Sequence, residues 1–600
     1  MSSPATVWLT LALLFSSLVL GSLARRYIQT TVDFYLAGRR IGYLANASAI
    51  CGDYFSAASF LGVAAAVYAV GYDGLLYGLG FGAGFLPVLL FVAAPLRRSG
   101  AFTLPSFCGL RFASRAARLT AVALVLVIVT LYLVPQMIAA GSTWTMLVGY
   151  GLPGITPYAT GVTAAAVIMT AYVVLGGMRA TTWNQVVQFG VLLSAVVTVL
   201  VLAYVRGFRY LDALAELGRQ PVAAENRLHP GLAAGFLHPG LRFDLFDQIS
   251  LLLSLVFGTA GLPHIMHRYF TSPTGAQARR ATAWVLGLVT LFYVLTGAVG
   301  VAARAMLPGG PAGGGGGTVV EPGSAGRQAA AEGAPPVGVP PLDAGAGEGA
   351  VAGTGMAEVP EVALRDPDMV VPALAWRVGG DAVLALVAAG AFAAIYSTIG
   401  GLLIAAAAAI GHDLYEELTG GGPEQRRVLV GRLTAAGTGG AALAVGLAFG
   451  RWGPGGQEPG LFAQMVTWAF AVAASGFFPV LTLGIWWRGM TAAGAVAAMV
   501  AGGGGSLALI LWGVGQQLGW WPAPAAASGL DAVPATFPTA VTLPLGFAAG
   551  VAGTLLDRCR RRHPIDESRL DDLWTRMHGT AAERQAERLA RIALAQRWRG

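Results

Sequence analysis

An aspartate in the middle of an apolar run is the first residue of this chain that asks for a chemical explanation. Asp53 lies in Ser48-Ala49-Ile50-Cys51-Gly52-Asp53-Tyr54-Phe55-Ser56-Ala57-Ala58-Ser59-Phe60-Leu61-Gly62, inside a hydrophobic stretch from about Ile41 to Val70. A carboxylate at bilayer depth costs about 2.5–3.5 kcal/mol or more, so it marks a functional position by default. The flanking Gly52 and Gly62 let a helix loosen and expose backbone carbonyls, which is tolerated only where they face a cavity or an ion. Two readings stand side by side: Asp53 serves a ligand, or a neighbouring helix holds it with no ligand involved.

Two further segments carry polar groups where a membrane would be. Leu251–Gly258 leads into Thr259-Ala260-Gly261-Leu262-Pro263 and then His264-Ile265-Met266-His267-Arg268. Two glycines and a proline so close together should break the helical ladder. Paired interruptions at corresponding places in two halves are the sequence pointer to a transport site built from inverted repeats. Close packing of small residues is the competing reading. The third segment, Ala393-Ala394-Ile395-Tyr396-Ser397-Thr398-Ile399-Gly400-Gly401, places two adjacent hydroxyls in an otherwise apolar run. Such hydroxyls usually bond back to the preceding turn, yet they are also the hard oxygens a small cation prefers.

The elements that must hold these segments are membrane spans. Of 600 residues, 55% are hydrophobic and only 11% charged, against about a quarter charged in soluble domains. The chain is expected to be an all-α polytopic membrane protein of about thirteen spans. They run roughly over 6–24, 41–70, 74–95, 116–147, 153–175, 182–204, 247–267, 281–306, 380–411, 428–450, 460–487, 490–514 and 540–556. The net charge of +8 comes from arginines in alternate short loops, among them Arg25, Arg26, Arg39, Arg40, Arg97, Arg98, Arg279, Arg280, Arg426 and Arg427. That alternation predicts an outside N-terminus and a cytoplasmic C-terminus, and it gives nucleic acid no role as a partner. Cys51, Cys108 and Cys559 are not placed for an extracytoplasmic disulfide. The apolar Val7–Leu20 reads as a retained first span rather than a signal peptide.

Residues 1–40 are therefore expected to form the first span and a cytoplasmic linker, and 41–487 a core with repeats at about 41–204 and 247–487. Two additional spans occupy 488–556 and a cytoplasmic tail 557–600. Pro308–Pro367, rich in Gly, Ala and Pro without a period, reads as a disordered extracytoplasmic loop. Leu570, Leu573, Trp574, Met577, Leu589 and Ile592 recur in the tail at loosely helical spacing.

Several motifs in order then resemble the sodium/solute symporter family. They are Phe34-Tyr35-Leu36-Ala37-Gly38-Arg39, Thr103-Leu104-Pro105-Ser106-Phe107 with Arg111-Phe112, and Gly176-Gly177-Met178-Arg179-Ala180-Thr181-Thr182-Trp183. Gly261-Leu262-Pro263-His264-Ile265 with Arg268, His412-Asp413-Leu414-Tyr415, and Ser475-Gly476-Phe477-Phe478-Pro479 through Trp487-Arg488 extend the likeness. Gly52–Gly62 and Gly258–His264 look most like its acetate/monocarboxylate branch.

The resemblance implies a leucine-transporter-like 5+5 inverted repeat with broken core helices. It also implies a sodium site formed by the carbonyls of Gly52, Phe55 and Ala394 and the hydroxyls of Ser397 and Thr398. Asp53 then moves to a supporting or coupling role. Some relatives carry an aspartate where this chain has Gln185, which makes a second sodium of that kind doubtful and leaves Na⁺ or H⁺ open as the driving ion.

The expected activity is inward symport of Na⁺ with a small organic anion such as acetate or pyruvate, across the plasma membrane, by alternating access. Proton-coupled uptake, or sodium symport of another solute such as proline, are the alternatives. A carboxylate needs donors, which broken-helix N-termini supply. Thr259, with Ser56 and Ser59 across from it, and Gln136 and Trp468 are the candidate substrate contacts. His264 and His267 read as a helix-end cap or lipid-interface pair, with pH sensing as the other possibility. No catalytic pair or metal cluster stands in the spans, so no enzyme activity and no cofactor beyond the coupling ion is expected. An accessory membrane subunit stays an open question.

Overall fold

The computed structural model describes residues 4–579 apart from 220, 226–227, 229–232, 308–368, 453–460, 518–519, 521–536 and 561–566. The expected loop at Pro308–Pro367, and Leu589 and Ile592 of the tail, lie outside the described residues. Among the described residues, runs of Ala, Leu and Val with little charge give eleven helices long and apolar enough to cross a bilayer, or twelve with the bent pair Tyr43–Tyr54 and Ala58–Val70. The expected count of thirteen is recovered within the 49-residue run Pro157–Val205. Gly177 takes φ 51°, ψ −147° and turns the chain there, a conformation closed to side chains with a β-carbon. The expected spans 153–175 and 182–204 are thus two helices meeting at one glycine.

Helix starts follow local chemistry. The side chains of Thr30, Thr103, Ser114, Asp244, Thr274 and Thr491 each accept a backbone N–H of the first turn, satisfying one of that turn's orphan donors.

The helices fall into two sets of five, each opening with a broken one. The first set is Tyr43–Val70, Tyr72–Arg98, Arg115–Leu147 and the two parts of Pro157–Val205; the second is Leu245–Phe270, Gly275–Met306, Val370–Thr419, Glu424–Phe449 and Ala463–Trp486. Within their apolar windows, Val370–Thr419 is 89% buried and Ala463–Trp486 83%, whereas Glu424–Phe449 is 28% and Pro4–Arg25 33%. The hydroxyl pair Ser397–Thr398 therefore sits on the most enclosed helix. The ninth span starts earlier than expected, at Val370, and kinks at Gly380 (φ 63°).

One element was not anticipated. The connection before the second set carries a helix, Tyr210–Arg219, and two short antiparallel strands, Pro221–Glu225 and Ala233–Gly235. It is anchored by Asp73, which accepts from the backbone N–H groups of Gly240, Arg242 and Phe243.

Candidate functional site

Both predicted breaks exist, and each leaves backbone groups without their ladder partners. At the first, Tyr43–Tyr54 ends at Phe55 (φ −80°, ψ 92°), and the chain resumes through a π-turn at Ala58–Gly62, bent by 72°. The Ser56 N–H, which would continue the ladder to Gly52, bonds the Tyr54 carbonyl at 3.1 Å; Ser59 and Phe60 N–H both turn to Ser56. The carbonyls of Gly52 and Phe55 thus lose their regular donors. At the second break, Leu245–Thr259 stops and Pro263–Phe270 restarts after an extended Leu262. The first regular bond is Met266 N–H to Leu262 at 2.9 Å, so the N–H groups of His264 and Ile265 belong to an open first turn.

The hydroxyl pair lies against the first break. Thr398 Oγ1 donates to the Asp53 carbonyl at 2.9 Å and the Ala394 carbonyl at 3.1 Å; Ser397 Oγ donates to Ala394 at 3.0 Å. Ala394, Ser397 and Thr398 are therefore gathered at the unwound end of Tyr43–Tyr54. The carbonyl that Thr398 touches is Asp53's, between the two expected from Gly52 and Phe55.

The Asp53 side chain points elsewhere. Its Oδ2 accepts from Arg268 Nε at 3.2 Å, both side chains being fully buried. Arg268 Nη1 donates to Thr182 Oγ1 at 2.8 Å and Nη2 to Gln185 Oε1. Gln185 Nε2 in turn donates to the Ser397 carbonyl at 2.8 Å. A closed circuit, Asp53–Arg268–Gln185–Ser397 with Thr398 back to Asp53, joins both broken helices to the hydroxyl pair. An aspartate in place of Gln185 could not donate to Ser397. Gly401 faces the Asp53 carboxylate so closely that a β-carbon would overlap it.

The expected substrate contacts divide. Ser56 Oγ, Tyr132 Oη, both polar atoms of Gln136 and both ring nitrogens of His264 are buried without a hydrogen-bond partner among the described residues. The Tyr132 hydroxyl lies beside Ser56, its ring centroid is 5.2 Å from that of His264, and Gln136 follows one turn later on the same helix. Thr259 is not free: its hydroxyl bonds the Leu255 carbonyl and Tyr54 Oη, each at 2.7 Å. Ser59 accepts from Tyr293 Oη at 2.8 Å and donates to the Tyr54 carbonyl at 3.3 Å. Both hydroxyls brace the break. Trp468 has an unpartnered indole N–H.

The placement of His264 and His267 at a lipid interface is corrected: they are 1% and 3% exposed. Pro263 starts a helix that runs into the core, so His264 occupies its first turn inside the protein. Tyr132 was missed, its only sequence signal being the four-residue spacing to Gln136. The pairing of Asp53 with Arg268, 215 residues apart, had none.

The motif residues outside the centre converge on the arginine-rich end. Asp413, in a π-turn at Ala409–Leu414, accepts from Arg118 at 3.0 Å and from Thr103. Arg118 also reaches Glu416 and Glu417, each at 3.2 Å. Arg39 donates to the Gly100 and Ala101 carbonyls, and Arg111 to those of Gly484, Trp487 and Arg488. Burial, helped by the charge of Arg488, pulls the Arg111 guanidinium down to about 10. Burial and the nearby Asp413 push the Tyr35 phenol well up, so it stays neutral.

Two broken helices face to face, freed carbonyls beside a hydroxyl pair, and an adjacent cluster of unpartnered donors define a secondary transporter of the leucine-transporter-like fold. The sequence profile of the sodium:solute symporter family matches residues 34–319 and 349–502, and the chain belongs to that family. It is 32% identical over 550 residues to the monocarboxylic acid transporter of Corynebacterium glutamicum, covering 88% of this chain and 87% of that one. It is 29% identical over 580 residues to YwcA of Bacillus subtilis, an uncharacterised symporter, covering 95% and 97%. Among solved structures, a Na⁺-coupled sialic acid symporter in a substrate-bound outward-open state superposes with a TM-score of 0.63 at 14% identity, covering 92% of this chain and 98% of that one. Family and fold make this a membrane symporter of the sodium-coupled class.

Proposed function

We propose that the chain imports a small monocarboxylate such as acetate or pyruvate together with Na⁺, by alternating access. The observation that carries the substrate is the cluster of Ser56, Tyr132, Gln136 and His264, buried with no hydrogen-bond partner outside the cluster among the described residues, at the open first turn of Pro263–Phe270. Two hydroxyls, an amide, an imidazole and a helix N-terminus are a donor-rich set that complements a carboxylate. The aromatic wall around it, with Phe55 stacked on Phe292 at 3.8 Å and Phe470 6.0 Å from Tyr54, favours a short apolar tail. The name of the Corynebacterium relative points to the same class.

Na⁺ would be held by the carbonyls of Gly52, Phe55 and Ala394 with the hydroxyls of Ser397 and Thr398. Neutral dipoles suit a monovalent ion that must also leave. One Na⁺ entering down 100 mV supplies about 2.3 kcal/mol, enough for a substrate gradient of roughly fortyfold at ~1.4 kcal/mol per decade. Asp53 and Gln185 take the coupling role, because the circuit through Arg268 links the donor cluster's helix to Ser397. We assign the arginine-rich loops and the C-terminus to the cytoplasm, with repeats at about 41–204 and 247–487 and two accessory spans at 488–556. Competition of a panel of short monocarboxylates, proline and sugars against labelled acetate in proteoliposomes tests the substrate. Displacement by pyruvate and propionate is expected; displacement only by proline or a sugar overturns the reading.

A further inference from the structure

The long helix Pro157–Val205 presents a second glutamine to the helix of the hydroxyl pair. Gln185 bonds the Ser397 carbonyl. Farther along, a β-carbon on Gly390 would lie 3.0 Å from Ala195 Cβ and 3.7 Å from Leu192 Cα. The two helices therefore run antiparallel, with 185 opposite 397 and 192 opposite 390. Gln188 falls between, on the same face as Gln185 and Leu192 by helical spacing, opposite Ala394. The next residue, Phe189, packs its ring 6.0 Å from that of Phe55, at the unwound end of the first broken helix.

Gln188 is 1% exposed, and neither its amide oxygen nor its amide nitrogen has a hydrogen-bond partner among the described residues. Burying a primary amide without partners is unfavourable. The buried amides of Asn46, Asn184, Gln185 and Gln248 all donate to carbonyls; Gln136 belongs to the solute cluster. The register sets Gln188 opposite the turn of Ala394, Ser397 and Thr398, and its neighbour Phe189 meets Phe55, so the oxygens assigned above to the cation are the candidates to complete it. These are hard neutral oxygens, and the Asp53 carboxylate is paired with Arg268. Such a set takes a monovalent cation rather than a divalent one or an anion.

We propose that Gln188 is a further ligand of the coupling cation, its amide oxygen closing the site from the side opposite the broken helix. The inference rests on the Ser397–Thr398 reading above. When the cation binds, Gln188 ties the helix Pro157–Val205 to the first broken helix, so occupancy reports directly to the element that carries Gln185.

The test is Na⁺ activation of solute uptake in proteoliposomes, with Na⁺-dependent thermal stabilisation of the purified protein as the second readout. Gln188→Leu should raise the half-saturating Na⁺ concentration at least fivefold while leaving the substrate KM at saturating Na⁺ within twofold. Gln188→Glu, which keeps an oxygen at that position, should stay within twofold of the parent for Na⁺ or bind it more tightly. Should Gln188→Leu fail to accumulate, Gln188→Met gives the same loss of oxygen with a more adaptable side chain. An unchanged Na⁺ response in the Leu or Met variant overturns the proposal, as does a change confined to substrate KM. If Ser397→Ala/Thr398→Ala also leaves Na⁺ activation unchanged, the cation site itself is misplaced; if that pair weakens it while Gln188→Leu does not, only the role of Gln188 falls.

Discussion

Neutralising Asp53 separates a structural carboxylate from a cation ligand. In Asp53→Asn the Arg268 guanidinium keeps Thr182 and Gln185 but loses its counter-charge, in surroundings where both side chains are 0% exposed. Breaking a buried pair from one side costs about 3–5 kcal/mol, because an uncompensated charge remains. That corresponds to roughly two to three and a half decades in the folded-to-unfolded ratio. Removing both charges relieves most of the penalty, since well-packed neutral replacements of buried pairs are often neutral in stability. Asp53→Asn and Arg268→Gln are therefore each expected to lower thermal stability and uptake sharply. The double variant should recover stability and still respond to Na⁺, with the mutual effect of Na⁺ and substrate weakened because the circuit is cut, since only the backbone carbonyl of Asp53 contacts Thr398. The assay is a double-mutant cycle on the detergent-purified protein, read by thermal unfolding and by Na⁺ titration of uptake. A double variant that is stable yet has lost Na⁺ activation would refute the reasoning, since the Asp53 charge would then serve the ion directly.

Other outcomes follow from the same geometry. Ser397→Ala/Thr398→Ala should raise the half-saturating Na⁺ concentration at least tenfold, measured as Na⁺ dependence of initial uptake rate. Tyr132→Phe and His264→Ala should each raise substrate KM by about 10- to 150-fold, the range for a hydrogen bond to a charged group worth ~1.5–3 kcal/mol, with little change in Na⁺ activation. Thr259→Val should lower stability, because the hydroxyl contact with Tyr54 is lost, without the selective rise in KM; thermal unfolding beside uptake kinetics separates the two. Gln185→Glu keeps the contact with Arg268 but loses the donor to Ser397, so Na⁺ and substrate should cease to raise each other's apparent affinity, as paired titrations would show.

Much of this architecture is legible because a bilayer imposes one-dimensional rules. Span lengths, arginine-bearing loops, and the Gly and Pro that interrupt Tyr43–Val70 and Leu245–Phe270 are local signals, and the structure places helices and breaks where they stand. The two expected spans either side of Gly177 follow each other without a loop because a single residue at positive φ suffices to turn the chain. Side-chain partnerships were not legible. Thr259 and Ser59 read as candidate substrate contacts, and Tyr54 and Tyr293 reach them from elements that local sequence does not point to. His264 and His267 sit on a short polar stretch that looks interfacial in isolation, yet the break turns it into the core. Arg268 stood in a recognised motif, but nothing local showed that it would bind Asp53 and Gln185. Gln188 is one polar residue in a long apolar helix, and only the register against the facing helix singles it out.

The most direct test is uptake of labelled acetate by the purified protein in liposomes under an imposed inward Na⁺ gradient and inside-negative potential. Accumulation that needs Na⁺, rises with the potential and is abolished in Ser397→Ala/Thr398→Ala is the predicted result. Full accumulation driven by a proton gradient in the absence of Na⁺ would contradict the account.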